Sequence, residues 1–433
     1  MRKLAVAALL LLPALAQAQS TASPLAAEID RRAAAIEQEM LAWRRHLHQN
    51  PELSNRETQT AAYVAEKLRS FGLTPTTGVG RNGVVATLQG AMPGPVVALR
   101  SDMDALPVAE ATGLPFASTA RGEYEGRPVD VMHACGHDTH MAMLLATARI
   151  LTDLRPQLRG SVKFVFQPAE EGVPRAEEPA GAELMIRDGA LRNPDVNAIF
   201  GLHVFANIPT GAIGWRSGSM LAAADQYEII VRGRQTHGAN PWAGIDPIVI
   251  GSQIVLGLQT IVSRQVNTAA EPAIITVGQF ESGTRNNIIP DTARLVGTIR
   301  TFDEAMRKDI HARVTRTATS IAAAAGGSAT VQIDLGYPVT VNNPQLTRQM
   351  MPTLQRVAGD KLVEVTRNTV AEDFSRFQQQ VPGMFVFLGI TPPAQVGTAA
   401  ANHSPQFMVD EAALVTGVRT LAHLAADYLF SSR

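Results

Sequence analysis

The chain has 433 residues, with 38 Lys plus Arg against 39 Asp plus Glu and a formal net charge of −1. Balanced charge without long runs of one sign excludes a nucleic-acid-binding tail and an electrostatic membrane anchor. A single cysteine, Cys135, excludes any intramolecular disulfide.

In chain order, Arg2 and Lys3 precede an apolar run from Leu4 to Ala16, and Ala16-Gln17-Ala18 fits a small-x-small cleavage site. This predicts a secretory signal peptide over 1–18, because the run is shorter than the ~20 apolar residues of a spanning helix. No later segment reads as long and apolar enough to span. The expected mature protein is periplasmic or secreted, free of the membrane once the signal is removed. About 415 residues then remain. That exceeds one typical core, so two domains are expected.

Two helices follow. The first carries "EMLAWRRHLHQN" and ends at Pro51. His46 and His48 lie on it and read as solvated or core-satisfied. The second, "ETQTAAYVAEKLRSF", stops at Gly72. Then come apolar runs of strand length with polar tails. "GPVVALR" leads into "SDMDALP", "SVKFVFQ" into "PAEEG", "NAIFG" into "LHV", and "GMFVFLG" through a loop into "NHSP". Helical stretches such as "HMAMLLATARILTDL" alternate with them. Continuous apolar strands alternating with helices predict an α/β domain with a mostly parallel sheet and helices on both faces. Ligand sites in such sheets lie beyond the carboxyl ends of the strands.

Residues 220–335 read differently, as β-α-β-β-α-β. This is the ferredoxin-like pattern of an inserted α+β unit. The expected organisation is a discontinuous catalytic domain over 28–219 and 336–430 around that insertion.

Four polar clusters fall on the strand tails or the following helix start. They are Cys135, His137 and Asp138 in "CGHD", the pair Glu170-Glu171, His203, and His403. Alone, each has a bland reading: a buried inert thiol, an exposed loop pair, or hydrogen-bonded histidines. Together, Cys, His and Glu form a donor set suited to a borderline-soft metal. Five such donors exceed the three of a mononuclear catalytic zinc site and suggest two ions. Cys135 could also be a nucleophile with His137 as its base, but that leaves the other three clusters without a role.

"SDMDALP", "HACGHDTH", "QPAEEG", "GLHV", "THGANPWAGIDP", "TRNNIIPD", "GTIRTF" and "NHSP" occur in one order. As an ordered set covering nearly all of the mature chain, they resemble the metal-dependent aminoacylase/carboxypeptidase family of peptidases. The resemblance is strongest to its amidohydrolase branch, which includes hippurate hydrolase and indoleacetyl-amino-acid hydrolase.

The resemblance implies hydrolysis of the amide bond of N-acyl amino acids, small molecules with a free carboxylate. A metallo-carboxypeptidase or dipeptidase is the alternative, and a non-catalytic periplasmic binding protein is a third reading. It implies two divalent metal ions per subunit, Zn foremost with Mn, Co or Ni as alternatives. Cys135, His137, Glu171, His203 and His403 would be the ligands, and Glu170 the general base acting on a metal-activated water. Asp104 would orient a ligand histidine. Asp102 stands where the wider family has a His ligand, and His137 would supply that imidazole. His133 and His140 would be neighbours of the ligands. The inserted unit resembles a lid or dimerisation domain, which implies a homodimer. On it, His237 would stabilise the oxyanion in a partner's site, and Asn287 and Arg300 would hold the substrate carboxylate. Trp242 replaces a His found in many relatives and would shape a pocket.

Overall fold

The computed structural model describes residues 22–431; the signal-peptide reading of 1–18 lies outside them. An eight-stranded sheet runs, in spatial order, Thr76–Val79, Gly83–Gln89, Arg159–Gln167, Met92–Asp102, Ala198–Pro209, Gly383–Thr391, Ile213–Trp215 and Leu362–Glu364. The four central strands, Arg159–Gln167 through Gly383–Thr391, are mutually parallel. Antiparallel partners flank them.

Alternate side chains of these strands enter two separate cores. Val97, Leu99, Val162, Phe164, Phe200 and Val386 pack on one face, beneath the helices His137–Asp153 and Leu414–Ser431. Ala98, Val165, Ile199, Phe385 and Phe387 pack on the other, with Met185 and Phe374 from Gly181–Arg187 and Phe374–Gln378. Both faces are therefore covered, and that is why these strands read as unbroken apolar runs rather than alternating ones.

The inserted unit has its own antiparallel sheet in the order Ala273–Ser282, Thr292–Thr301, Ala223–Arg232, Ser328–Leu335. Its helices, Pro247–Thr260 and Glu304–Ala324, share one core with that sheet. Each starts on an aspartate that accepts from backbone N–H groups: Asp246 from Ile248 and Val249, Asp303 from Met306. This is the ferredoxin-like arrangement that the element order predicts.

One expectation needs correction. Pro247–Gln265, the first helix with the π turn that continues it, spans 19 residues at mean hydropathy 1.2. By length and composition it is long and apolar enough to cross a membrane. Here its stripe of Ile250, Ile254, Leu258 and Ile261 packs into the inserted unit's core. Exposed aliphatics outside that stripe, such as Val249 and Leu256, raise the mean further.

The two chain crossings between the sheets lie side by side: Ala224 N donates to Tyr337 O at 3.0 Å. Gly336 is required there, since a Cβ would stand 1.9 Å from Ala224 O.

Candidate active site

The "CGH" turn is the first piece. Gly136 precedes the helix His137–Asp153 in the left-handed region, φ 95°. A Cβ on it would lie 2.4 Å from Val204 Cγ2, so only glycine lets the chain turn here. The turn carries Cys135 and His137 into one cluster. His137 donates from Nδ1 to Asp104 O at 2.8 Å. Its Nε2, buried and without a hydrogen-bond partner, faces Asp102 Oδ2 at 3.7 Å and Glu170 Oε2 and Glu171 Oε1 at 3.9 Å. These gaps are too long for hydrogen bonds.

His203 is not at a strand end, as the sequence suggests; it lies inside the strand Ala198–Pro209. The neighbour Met92–Asp102 pairs with that strand only as far as Gly201, and His203 follows that point. Where the ladder stops, the Val204 N–H is accepted at 2.9 Å by His140 Nε2. His140 Nδ1 in turn donates to Asp102 Oδ1 at 2.6 Å. His203 donates from Nδ1 to Val204 O at 2.7 Å, which leaves Nε2 as a base 3.4 Å from Cys135 Sγ. Burial, then His140, holds its pKa well below the usual imidazole range. It is neutral, the form that ligates metal.

Glu171 and His403 complete the cluster. His403 Nε2 lies 3.2 Å from Glu171 Oε1 and 3.3 Å from Cys135 Sγ. His403 N is tied to Ala134 O at 2.8 Å, which pins the loop to the "CGH" turn. Two donor triads share Cys135, one with His137 and His203 and one with Glu171 and His403; within each, all donor atoms lie within 4.8 Å of one another. His137, Glu170 and Glu171 form a further group of the same kind, so Glu170 is also within reach of the cluster.

Electrostatics favour cations here. Burial, then Glu171, Glu170 and Asp102, push the Cys135 thiol well above its usual range. Burial opposes charge on His137, yet Asp102 and Asp104 lift it to about 10. Burial, then Glu372, Glu171 and Asp373, raise Glu170. Buried acid so outweighs cation that added positive charge would relieve it. The orphaned His137 Nε2 and the soft Cys/His donors fit divalent metal.

Asp104 faces His137 Nδ1 with its carboxylate as well as its carbonyl, Oδ1 lying 3.4 Å away. Its Oδ2 also accepts from Ser54 Oγ at 2.7 Å and Glu171 N at 2.9 Å, fixing the glutamate too. Asp102 is held by His140 and, at 2.7 Å, by Arg100 Nη1.

Sequence reasoning missed Arg100, Glu372 and Asp373. Arg100 is buried, and its Nη2 meets Glu372 Oε1 at 2.9 Å and Asp373 Oδ1 at 3.0 Å. Glu170 Oε1 accepts from Asp373 N at 3.4 Å. The polar "AED" ahead of buried Phe374 was the available signal. His133 is buried with neither ring nitrogen partnered, and burial lowers it to about 4. His48 is satisfied by Asp138 and Glu110. His46 stacks on Tyr63.

A cavity of about 560 Å³ opens beside Cys135, Glu170, Glu171, His203 and His403. His237, Asn287, Arg300 and Trp242 do not line it. His237 and Asn287 are exposed on adjoining segments, where Gly238 N donates to Asn287 O at 2.8 Å. Arg300 is half-buried, and its guanidinium donates to Ile299 O at 3.3 Å. Trp242 is 80% exposed. One chain thus gathers the five candidate ligands and Glu170 but not the residues expected to hold substrate.

The profile of Peptidase family M20/M25/M40 matches residues 98–427. Thermostable carboxypeptidase 2 of Saccharolobus solfataricus is 40% identical over 402 residues, 92% of this chain and 97% of that protein. An N-acyl-L-amino acid amidohydrolase of Geobacillus stearothermophilus is 42% identical over 315 residues, 73% of this chain and 81% of that protein. A Bacillus subtilis crystal structure, described as a dinuclear metal binding peptidase from M20 family, superposes with TM-score 0.78 at 33% identity. It covers 92% of this chain and 100% of that one.

Proposed function

This chain belongs to peptidase family M20/M25/M40, and from that premise we propose that it hydrolyses the amide bond of N-acyl amino acids. The observation that carries the reading is Cys135, shared by two donor triads, with the Glu170 carboxylate beside them; of the donors gathered here we assign Glu170 to the proton rather than to a metal. Cys135, His137 and His203 would hold one divalent ion, and Cys135, Glu171 and His403 a second. Zinc suits this donor set best, with Mn, Co or Ni as alternatives. When bound, such ions acidify a water toward pKa ~7 and polarise the amide carbonyl.

The chain's own residues do the rest. Glu170 takes the proton of the attacking water and passes it to the leaving amine. Its carboxylate faces the cluster, with Oε2 3.9 Å from His137 Nε2. Asp104 holds the Glu171 backbone and the His137 ring, which keeps the two glutamates in separate roles. Asp102 and His140 fix the strand at Val204, and thereby His203.

Oxyanion stabilisation falls to His237, and carboxylate binding to Asn287 and Arg300. They stand away from the cluster in one chain, so a homodimer through the inserted unit would deliver them from a second copy. Arg300, with no carboxylate in ion-pair contact among the described residues, is suited to an anion. We also propose export, with cleavage after Ala18; the mature protein would then begin at Gln19.

The test is a panel of N-acyl amino acids and dipeptides, assayed before and after chelation with metal analysis alongside. Hydrolysis should vanish on chelation and return with divalent metal. Activity that survives complete metal removal would favour a Cys135 nucleophile, and no turnover with any metal would favour a binding protein. Dipeptides outrunning acyl amino acids would favour the carboxypeptidase reading.

A further inference from the structure

The 560 Å³ cavity has a composition that bears on which half of a substrate enters it. This inference rests on the reading just given. Its inner end is the Cys135 cluster. Its wall is apolar, with Phe205, Phe385, Phe387, Leu221 and Val370. Phe205 and Phe387 stack with centroids 4.5 Å apart and planes at 22°, an offset geometry that aromatic groups favour. The facing loop contributes small side chains at Gly397, Ala399 and Ala401 before Asn402 and the cluster's His403. The size lies within the ~300–1,000 Å³ of small-molecule sites.

The charges lining the cavity are one-sided. Glu170, Glu171 and Glu372 line it, together with His203 and His403, and no Lys or Arg does. The amino-acid half of an N-acyl amino acid bears its carboxylate one carbon from the scissile nitrogen. Along this apolar wall that carboxylate would be desolvated with no Lys or Arg to pair with it. It must leave by another direction, so the acyl half enters the cavity. Glu372 is only 2% exposed and is paired with Arg100 at 2.9 Å. It offers no open charge to an ammonium group.

We propose that the Phe205–Phe387 cavity is the acyl subsite, and that it selects bulky, uncharged acyl groups, aliphatic or aromatic, over acetyl, anionic acyl or aminoacyl groups. A methyl would leave most of the cavity unfilled. Each methylene buried there is worth about fourfold in binding, so four added methylenes give roughly 10².

The test uses metal-loaded full-length protein and one amino acid, alanine, acylated with acetyl, hexanoyl, benzoyl, succinyl or glycyl. Hexanoyl and benzoyl should exceed acetyl in kcat/KM by about 10², while succinyl and glycyl should fall at or below acetyl. Ala401→Trp narrows the cavity from its exposed loop and should cut the hexanoyl-to-acetyl ratio at least ~10-fold. Val370→Trp, from a separate exposed segment, is the second narrowing variant should the first fail to fold. Phe205→Ala removes the stacking partner and should lower the benzoyl-to-hexanoyl ratio. Acetyl turned over as well as hexanoyl, or ratios unmoved in a folded narrowing variant, overturns the subsite while leaving the hydrolase reading intact. No hydrolysis of any member overturns both.

Discussion

Arg100→Met tests how the buried charge behind the cluster is organised. The Arg100 side chain is 1% exposed and meets Asp102 at 2.7 Å, Glu372 at 2.9 Å and Asp373 at 3.0 Å. Its Nε also donates to Gln167 Oε1 at 2.9 Å. Methionine keeps much of the volume and strands the three acids. Removing one partner of a buried ion pair costs ~3–5 kcal/mol, a large share of a typical ~5–15 kcal/mol stability. The acids can shed part of that cost by taking up protons. Burial, opposed by Arg100 and reinforced by Glu372, already lifts Asp373 to about 7. Losing the guanidinium raises it further. An acid whose folded pKa exceeds its unfolded value binds more protons when folded, so stability falls as pH rises through that window. The variant's deficit should therefore be larger at pH 8 than at pH 5.5. Urea unfolding of chelated wild type and variant at both pH values measures it. Adding Asp373→Asn removes one stranded charge and should recover at least ~1 kcal/mol. A deficit below ~1 kcal/mol at pH 8, or one equal at both pH values, would refute the reasoning.

Other substitutions probe other parts. Gly136→Ala forces a side chain into the left-handed turn against Val204; it should cost about 1–3 kcal/mol and lower metal content, as read by thermal unfolding and elemental analysis. Cys135→Ala removes the donor common to both triads, so metal content and activity should both collapse; survival of both sinks the shared-ligand assignment. In the inserted unit, burial opposes but Arg307 and His311 outweigh it, bringing Asp225 from 3.8 to about 2. The depressed pKa means stability present above ~4 and lost as pH falls through ~2, on the order of 2 kcal/mol. Asp225→Asn should flatten that acid limb in unfolding titrations.

The site was legible wherever its chemistry sat in polar residues that interrupt apolar runs. "CGHD", "AEEG" and "NHSP" do so, and the structure brings their Cys135, His137, Glu171 and His403 together. His203 was found although its position in the strand was misjudged. The sequence cannot show where a neighbouring strand stops pairing, and that sets which backbone groups His140 must satisfy. Arg100 was hidden because a cation closing an apolar strand usually marks the surface; only the third dimension supplies Asp102, Glu372 and Asp373 around it. The ferredoxin-like order was readable from alternation in Ala223–Arg232 and Thr292–Thr301, whose burial is strictly two-sided. The apolar character of Pro247–Gln265 was underestimated because glycines dilute its stripe.

The central claim is that Glu170 moves the proton and holds no metal. Glu170→Gln keeps the side chain's shape and its acceptor for Asp373 N while abolishing basicity. Metal content per chain and kcat for a hexanoyl or benzoyl amino acid, measured on the same preparation, test it directly. The account predicts unchanged metal with kcat down by at least ~10². Turnover near wild type, or loss of metal together with activity, would contradict it.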